Sequence, residues 1–445
     1  MTPRRLAICY AAPGLHLRAS SGPTRNLLSL AEALAEWADV TVAFRTLLDP
    51  VESLRVRALA LDPSAPSGGD LGDDNAMRGL RPVAHLAYCR RLRAFARAAA
   101  DSFDVVLEKG WRLSGWLAAA ATRAGVPGLV VENDVRLWTA PVRGLGDAAR
   151  MAAHHAAEAL AASRCRRVPC VIAETDEMKS RLIQLRGLAP ERVEVVGLGV
   201  DHARFRPLDE AGARAALGVG ADALVLLYVG AMDEYHDLSP LIAALGRVRP
   251  ERVELHVVGD GEYRARCERE AAAAGARVRF HGRVGHAEVP RYIAAADLCV
   301  APYRAQAFHG GEITFSTLKI PEYLACGRPV LSVPSPAIAG YVVEGRTGFL
   351  RPNDETAWRE FLAQAPARAA LAALRPAAAD AVREVSWNRT ARRYLEICER
   401  LTAGRQAAAR TTGPRTAGPA GPAASVAAID TGGNVDQERR GTACR

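Results

Sequence analysis

The sequence predicts an α/β protein with two doubly wound, Rossmann-like domains that face each other across a cleft. Short apolar runs of strand length alternate with longer segments of helical spacing, which is typical of parallel sheets covered by helices on both faces. These runs form two successive series, and the pattern lapses between them at Gly197–Asp222. A chain of 445 residues is long enough for two or three domains.

The first series predicts the sheet of a first domain over residues 1–200. A segment of helical spacing, Thr24–Trp37, follows its first apolar run. The predicted strands are Arg5–Tyr10, Val40–Phe44, Val105–Glu108, Gly128–Glu132, Cys170–Ala173 and Val193–Val196. Between them, Asp62–Pro82 is rich in Gly, Asp and Pro and predicts a surface loop.

The second series predicts a second domain over residues 201–385, with a helix at Leu238–Val248. The predicted strands are Leu224–Val229, Glu254–Val258, Val278–Phe280, Leu298–Ala301 and Pro329–Ser332. Beyond Leu401 the chain loses its periodicity and is rich in Ala, Gly, Pro, Thr and Arg. We therefore expect residues 402–445 to form a disordered tail.

The charge balance favours anionic ligands but not nucleic acid. The formal net charge is +9, of which the predicted tail supplies three with six Arg against three acids. A mild positive charge suits phosphate-bearing ligands or an anionic membrane surface. Lys109, Lys179 and Lys319 are the only lysines. The Arg and Ala enrichment fits a bias toward GC-rich codons, so it does not indicate a nucleic-acid partner.

Cysteine usage and hydropathy predict a reduced cytoplasmic protein. Nine cysteines are scattered without a C-x-x-C pair, which favours core thiols over disulfides or a zinc site. No apolar run reaches the length of a membrane-spanning helix, and the first run is predicted to be a buried strand. The basic amphipathic segment His85–Arg97 fits either a solvated surface helix or peripheral contact with the inner face of an anionic membrane.

Glycines at the predicted strand ends allow close approach of the backbone to a ligand. Ser20–Thr24 fits either an anion at a helix N-terminus or simply a capped helix start. Further glycines follow predicted strands at Gly230, Gly259–Gly261 and Gly282. The first turn is neither G-x-G-x-x-G nor a P-loop, which argues against nicotinamide and ATP binding.

The richest segment is Phe308–Val330. A Gly-rich loop is followed by a helix with a predicted Ser or Thr cap, and Ser316, Lys319 and Tyr323 are expected on one helix face. Backbone N–H groups and the Lys319 ammonium suit a diphosphate, and Glu322 suits sugar hydroxyls. A solvated helix face is the alternative interpretation.

Several of these segments together resemble glycosyltransferase family four, over nearly the whole chain to about Leu401. The resemblance is stronger in the second domain. It is carried by residues 193–207, Tyr228–Gly230, Val258–Glu262, Phe280–Gly282 and Glu322–Val330. It implies the GT-B fold and transfer of a sugar from a nucleotide-sugar donor with retention. It also implies that neither a metal nor another cofactor is needed.

The resemblance assigns donor-binding roles in the second domain. It places Glu322 on the donor ribose and Gly230 on the phosphates, whereas Thr314 stands where the family has a sugar-binding Glu. Ala231 and His236 replace the usual phosphate-binding Arg and Lys, so Lys319 is expected to supply the charge. The remaining residues it implies on the donor side are Gly261, Glu262, Arg283, Val284, Ser316 and Thr317.

The resemblance also assigns roles in the first domain. Ser21 and Gly22 match the loop that meets the donor phosphates. Glu108, Lys109, Glu132 and Asn133 end two neighbouring strands and are expected on the acceptor side. Residues 386–401 resemble the C-terminal helix that crosses back to the first domain.

The expected function is therefore retaining transfer of a sugar to a hydroxyl of a glycan, a lipid-linked glycan or a small molecule. A nucleotide-sugar epimerase of the same fold and a non-catalytic sugar-nucleotide-binding protein remain alternatives. In the latter, Thr314 and Ala231 would reflect lost activity. A dehydrogenase is disfavoured by the missing glycine fingerprint.

Overall fold

The computed structural model describes residues 4–18, 21–48, 56–62, 82–133, 135, 142–248, 252–308 and 313–412. These residues form two parallel sheets with helices packed on their faces, one sheet on each side of residue 200. The predicted fold class is confirmed. Most of the predicted surface loop, residues 63–81, lies outside the described residues.

The first sheet is doubly wound. Its strands are β1 (Ala7–Leu17), β2 (Asp39–Leu47), β3 (Arg57–Ala60), β4 (Val105–Lys109), β5 (Gly128–Glu132), β6 (Cys170–Ala173) and β7 (Val193–Val195). They lie in the order β3-β2-β1-β4-β5-β6-β7, all parallel, so the strand order reverses beside β1. The helices are α1 (Gly22–Leu34), α2 (Pro82–Ala99), α3 (Trp116–Arg123), α4 (Leu145–Cys165) and α5 (Asp176–Arg186).

Strand β1 shows why these strands are continuously apolar. Ile8 and Tyr10 join the core on one face of the sheet, and Cys9 and Ala11 join the core on the other. All four are fully buried, since helices cover both faces. The strand runs well past its predicted end at Tyr10, because the chain stays paired with β2 beyond an irregularity between Ala12 and His16.

The second sheet has six parallel strands in the order β10-β9-β8-β11-β12-β13. They are β8 (Leu224–Val229), β9 (Val253–Val258), β10 (Val278–Gly282), β11 (Leu298–Ala301), β12 (Val330–Ser332) and β13 (Gly348–Leu350). The surrounding helices are α6 (Glu210–Ala216), α7 (Ser239–Val248), α8 (Arg264–Ala274), α9 (Val289–Ala295), α10 (Lys319–Ala325), α11 (Pro336–Ala339), α12 (Glu355–Ala363), α13 (Arg368–Ala373) and α14 (Arg375–Ala381). The sequence missed β3 and β13, which are edge strands of four and three residues.

The last helix, α15 (Trp387–Thr412), packs against α1 of the first domain. Tyr394 and Ile397 are buried in the same core as Leu27 and Leu34. Where the chain crosses between domains, the backbone N–H of Trp387 donates to the Val200 carbonyl over 3.4 Å. The helix continues past 401, so the predicted disordered tail begins too early, and residues 413–445 lie outside the described residues.

The basic amphipathic segment is part of α2, and its arginines lie on the exposed side of that helix. Tyr88 and Leu92 are fully buried in the first domain, whereas Arg90, Arg93 and Arg97 are exposed. The described part of its apolar face is therefore covered by protein. Within the described ranges, no helix has both the length and the apolar character needed to cross a membrane.

The contact between α1 and α15 predicts a clear effect on stability. Ile397→Ala removes a fully buried side chain from the first domain's core. We expect the free energy of unfolding to fall by roughly 2–5 kcal/mol, measured by urea denaturation. Glu399→Ala, on the exposed side of the same helix, is the control and should change it little. Equal effects of the two substitutions would contradict this packing.

Candidate active site

The carboxyl edges of the two sheets meet. Glu174 and Thr175 follow β6, and the Thr175 hydroxyl donates to the Thr314 carbonyl in the loop before α10. The Glu174 carboxylate accepts the backbone N–H of Ser316 from the same loop. Loops that follow parallel strands thus line a cleft between the domains, where doubly wound folds bind their ligands.

In the second domain, three neighbouring strands end at a glycine. Gly230 and Gly259 follow β8 and β9 directly, and Gly282 is the last residue of β10. The N–H of Gly230 donates to Val258 over 2.9 Å, and the N–H of Gly259 donates to Gly282 over 2.7 Å. Gly259 has a φ of 134°, and a Cβ there would lie 1.9 Å from the Gly230 carbonyl oxygen. Only glycine fits so close an approach.

The Lys319 ammonium lies at the end of β8, beside Gly230. Its Nζ is 3.3 Å from the Tyr228 hydroxyl and 4.6 Å from the centre of the Tyr228 ring, with the Tyr303 ring at 5.3 Å. Burial lowers the pKa of Lys319 to about 7, and the charges of Asp233 and Glu322 oppose this only in part. No carboxylate of the described residues lies within 4.0 Å of this ammonium, so its charge is available to an anionic ligand.

His236 lies beside the same two tyrosines. Its Nδ1 is 2.9 Å from Asp233, and its ring centre is 5.2 Å from that of Tyr303. Burial, followed by repulsion from Lys319, lowers the pKa of His236. The ring is therefore neutral near pH 7 and, with Nδ1–H donating to Asp233, Nε2 is an acceptor. In this arrangement His236 offers a hydrogen-bond acceptor, and Lys319 offers the positive charge.

Glu322 lies one turn after Lys319 on α10, so these two residues share a helix face. Its Oε1 is 3.7 Å from Nε2 of His286, and the Glu322 side chain is 18% exposed. In the described ranges it forms no ion pair with Lys or Arg. A half-buried carboxylate of this kind suits ligand hydroxyl groups.

The predicted common face of Ser316, Lys319 and Tyr323 is wrong. Helix α10 begins at Lys319 after Leu318, and no side chain caps it, so Ser316 and Thr317 precede it. Tyr323 points into the core, where its hydroxyl accepts from Val229 N over 2.8 Å and donates to Val229 O. This pair of bonds holds α10 against the end of β8.

Hydrogen bonds of polar groups hold the loop before α10 in place. The Thr317 hydroxyl accepts from the Tyr303 hydroxyl over 2.5 Å. The Ser316 side chain bonds to Tyr341. Thr314 is buried, and its backbone carbonyl accepts a hydrogen bond from Thr175 of the first domain. These residues fix the approach to Lys319, while His309–Glu312 lie outside the described residues.

The remaining residues predicted on the donor side lie at strand ends or helix starts. Ser21 caps α1 by accepting from Thr24 N over 3.2 Å, and Gly22, the first helical residue, has open space around it. Gly261 and the exposed Glu262 follow β9. Arg283 is exposed and lies 3.5 Å from Asp260, whereas the partly buried Val284 side chain packs against the core of the second domain.

On the first-domain side, Lys109 and Asn133 are brought together. Lys109 Nζ donates to Asn133 over 3.1 Å, and the Asn133 amide donates to Glu174. Asn26 donates to the same carboxylate over 3.3 Å. Burial raises the pKa of Glu174. Glu174 was not among the predicted site residues, although it follows β6 directly, as Asn133 follows β5.

The carboxylates of Glu108 and Glu132 form hydrogen bonds and an ion pair with residues of the first domain. Glu108 is fully buried and accepts the Trp111 indole N–H and the Ala118 N–H, each over 2.7 Å. Burial raises the pKa of Glu108 to about 7. Glu132 forms a buried ion pair with Arg186. Within the described ranges, no group of three or more His, Cys, Asp or Glu is placed to hold a metal ion.

Solved structures of other proteins share this two-domain fold. Sucrose-phosphate synthase from Thermosynechococcus elongatus superposes with a TM-score of 0.69 at 20% identity, covering 90% of this chain and 100% of that one. Anabaena Alr3699/HepE, solved with UDP and glucose, gives a TM-score of 0.66 at 18% identity, covering 89% and 100%. These likenesses confirm the predicted GT-B fold.

Sequence comparisons identify the family. Glycosyl transferases group 1 matches residues 223–365, and the Glycosyl transferase 4-like domain matches residues 21–199. D-inositol 3-phosphate glycosyltransferase of Nocardioides sp. is 30% identical over 334 residues, which cover 70% of each chain. The Stackebrandtia nassauensis protein of the same name is 32% identical over 331 residues, covering 67% of this chain and 69% of that one. The chain belongs to this glycosyltransferase family, as the sequence resemblance predicted.

The environment of Lys319 predicts a lysine that titrates near neutral pH. The chain has only three lysines, so labelling with [ε-¹³C]lysine gives three NMR signals, and Lys319→Arg identifies the one from Lys319. We expect that signal to titrate at about pH 7, because burial disfavours the ammonium. A midpoint near the ordinary lysine value of about 10.4 would contradict the described environment.

Proposed function

We propose that this glycosyltransferase moves a sugar from a UDP-sugar to an acceptor hydroxyl, with retention at the anomeric carbon and without a metal cofactor. The observation that carries the proposal is the Lys319 ammonium, held between two tyrosines beside Gly230 without a carboxylate partner within 4.0 Å among the described residues. A donor diphosphate would supply the missing counter-charge.

The donor diphosphate would lie along the glycine ends of β8 and β9, with Lys319 on one side and Ser21 and Gly22 on the other. As the bond to the sugar breaks, negative charge grows on the leaving nucleotide, and a fixed cation with oriented N–H groups stabilises it. Glu322 would accept hydrogen bonds from the ribose. Alr3699/HepE is described in complex with UDP-glucose, which supports a UDP-sugar as the first donor to test.

The transfer would proceed without a protein nucleophile. The anomeric C–O bond to the diphosphate breaks, the acceptor oxygen bonds to the same face of the sugar, and its proton passes to a diphosphate oxygen. Thr314 stands where the family resemblance places a carboxylate, and it is buried. His236, neutral near pH 7, would accept a hydrogen bond from a sugar hydroxyl. Closure of the domains would exclude water and limit hydrolysis of the donor.

The acceptor would approach from the first domain, at Lys109 and Asn133. The relatives named D-inositol 3-phosphate glycosyltransferase make a phosphorylated polyol the first acceptor to test. Glycans, lipid-linked glycans and other small molecules with a free hydroxyl complete the panel. The cytoplasm is the proposed location, since the eight cysteines of the described residues are free and buried, as reduced thiols are there.

The assay combines the protein with UDP-sugars and this acceptor panel in the presence of EDTA. We expect UDP release only with an acceptor, and a glycoside with the anomeric configuration of the donor by NMR. An isomerised sugar nucleotide would instead identify an epimerase. Donor binding without turnover over the whole panel would indicate a non-catalytic protein, and an inverted product would contradict retention.

Lys319→Ala tests the proposed role of the ammonium. We expect the Kd for the donor, measured by calorimetry, to rise roughly 10- to 100-fold, because a charge-assisted hydrogen bond to the diphosphate is lost. Lys179→Ala, on α5 outside the proposed site, is the matched control and should leave the Kd unchanged. Equal Kd values for all three proteins would remove Lys319 from the donor site.

Donor binding should also depend on pH. Because the pKa of Lys319 is lowered to about 7, the ammonium is present below that pH and is lost as the pH rises through it. We expect the donor Kd to increase above neutral pH, although the bound diphosphate holds the proton and moves the midpoint upward. Lys319→Arg keeps its charge and should flatten the profile. Parallel profiles for the two proteins would contradict this assignment.

A further inference from the structure

A second strongly basic site lies outside the cleft, between helices α2, α3 and α4. A cavity of about 150 Å³ opens there, and we call it the arginine pocket. A volume of this size holds one group as large as benzene. The lining residues that concern its chemistry are Arg93, Trp116, Arg123, Ser163, Arg164 and Arg167. None of them belongs to the proposed donor or acceptor site.

Trp116 organises the arginine pocket. The guanidinium carbons of Arg93 and Arg164 lie 4.6 and 4.1 Å from the centre of its ring, so the indole contacts two cations. Its own N–H donates to the Cys89 carbonyl over 3.1 Å, which fixes the ring. Two of the four arginines in the lining therefore stack on one fixed aromatic side chain.

The pocket lacks a counter-charge. Its lining contains no acid, and Arg93, Arg123, Arg164 and Arg167 form no ion pair within the part of the chain that the structure describes. The Nη1 of Arg164 is buried without a hydrogen-bond partner. Burial is also the main cause that lowers the pKa of Arg164. Four guanidinium groups that line one cavity without an acid are therefore expected to bind an anion.

Neighbouring groups do not explain this arrangement. The charge of Glu108 acts on Arg164, but its two oxygens accept from Trp111 and Ala118. Arg123 and Arg164 lie in the last turns of α3 and α4, where the helix carbonyls favour a cation. That interaction explains the positions of Arg123 and Arg164 individually. It does not account for four arginines in the lining of one cavity that contains no acid.

We propose that the arginine pocket binds the phosphate group of an anionic ligand. Planar guanidinium forks match phosphate oxygens in pairs, and four of them suit the double negative charge of a phosphate better than the single charge of a carboxylate. The Ser163 hydroxyl adds one more donor. The phosphate belongs either to a soluble phosphorylated compound or to a phospholipid headgroup. Leu160, 49% exposed, lies at the rim of the pocket and would contact the rest of either ligand.

The first test uses the full-length protein labelled with 5-fluorotryptophan. The chain has six tryptophans, and Trp116→Phe assigns the ¹⁹F signal of the pocket. Inorganic pyrophosphate is titrated at constant ionic strength. We expect the Trp116 signal to move to saturation, and the double variant R123Q/R167Q to need at least about tenfold more pyrophosphate. The ¹⁹F signal reports on this pocket alone, so the outcome does not depend on pyrophosphate binding in the cleft.

The second test uses flotation with vesicles of phosphatidylcholine and phosphatidic acid in a 3:1 ratio. A headgroup ligand predicts flotation that R123Q/R167Q abolishes. The control is R269Q/R359Q, which removes the same charge from exposed sites on α8 and α12 and should behave as wild type in both tests. Arg164→Gln provides a further, single-site variant of the pocket, and thermal melting checks that every variant folds.

The outcomes separate the two sources. A pyrophosphate-dependent shift of Trp116 without flotation identifies a soluble phosphate, and pocket-dependent flotation without a shift identifies a headgroup. Both together identify a pocket that accepts either. If Trp116 does not respond and flotation is absent or unchanged in R123Q/R167Q, the proposal is overturned.

Discussion

The contact of Lys319, the first residue of α10, with the end of β8 is the constraint on which the candidate site depends. An ammonium is held against two tyrosine rings, without a carboxylate within 4.0 Å among the described residues, and its pKa falls to about 7. Tyr323, hydrogen-bonded to Val229, keeps the helix that carries Lys319 against the strand that ends in Gly230. Charge and bare backbone are thereby placed side by side before any ligand arrives, which is the preorganisation that stabilisation of a leaving diphosphate requires.

The two halves of the cleft are coupled through Glu174. Its carboxylate accepts hydrogen bonds from Asn26, from Asn133 and from the backbone of Ser316, so one buried group joins the first domain to the loop that leads to Lys319. Asn133 in turn contacts Lys109. The loop before α10 and the residues predicted on the acceptor side therefore share one hydrogen-bond network.

The sequence predicted the architecture well because continuously apolar strands and helical spacing are strong signals over many residues. It placed Lys319, Glu322, His236 and Gly230 in one site, and the structure brings them to one edge of the second sheet. The prediction that Ser316 lies on the same helix face as Lys319 was wrong, because the exact start of a helix depends on single residues. The first turn of α10 begins at Lys319, so Ser316 lies outside the helix. Glu108 and Glu132 follow the strand-end pattern, yet Trp111 and Arg186, which satisfy them internally, are visible only in three dimensions.

The chain crosses between the domains twice at nearly the same point, near Val200 and again at Trp387. At Gly199 a Cβ would lie 2.2 Å from the Trp387 backbone nitrogen, so the outgoing and returning segments touch. Because both connecting segments pass through the same region, they would restrict translation and twisting of one domain against the other but permit bending about that region. The cleft between the domains would then widen or narrow by rotation about this region. A residue larger than glycine at position 199 would clash with the Trp387 backbone and restrict the rotation without contacting a ligand-binding residue.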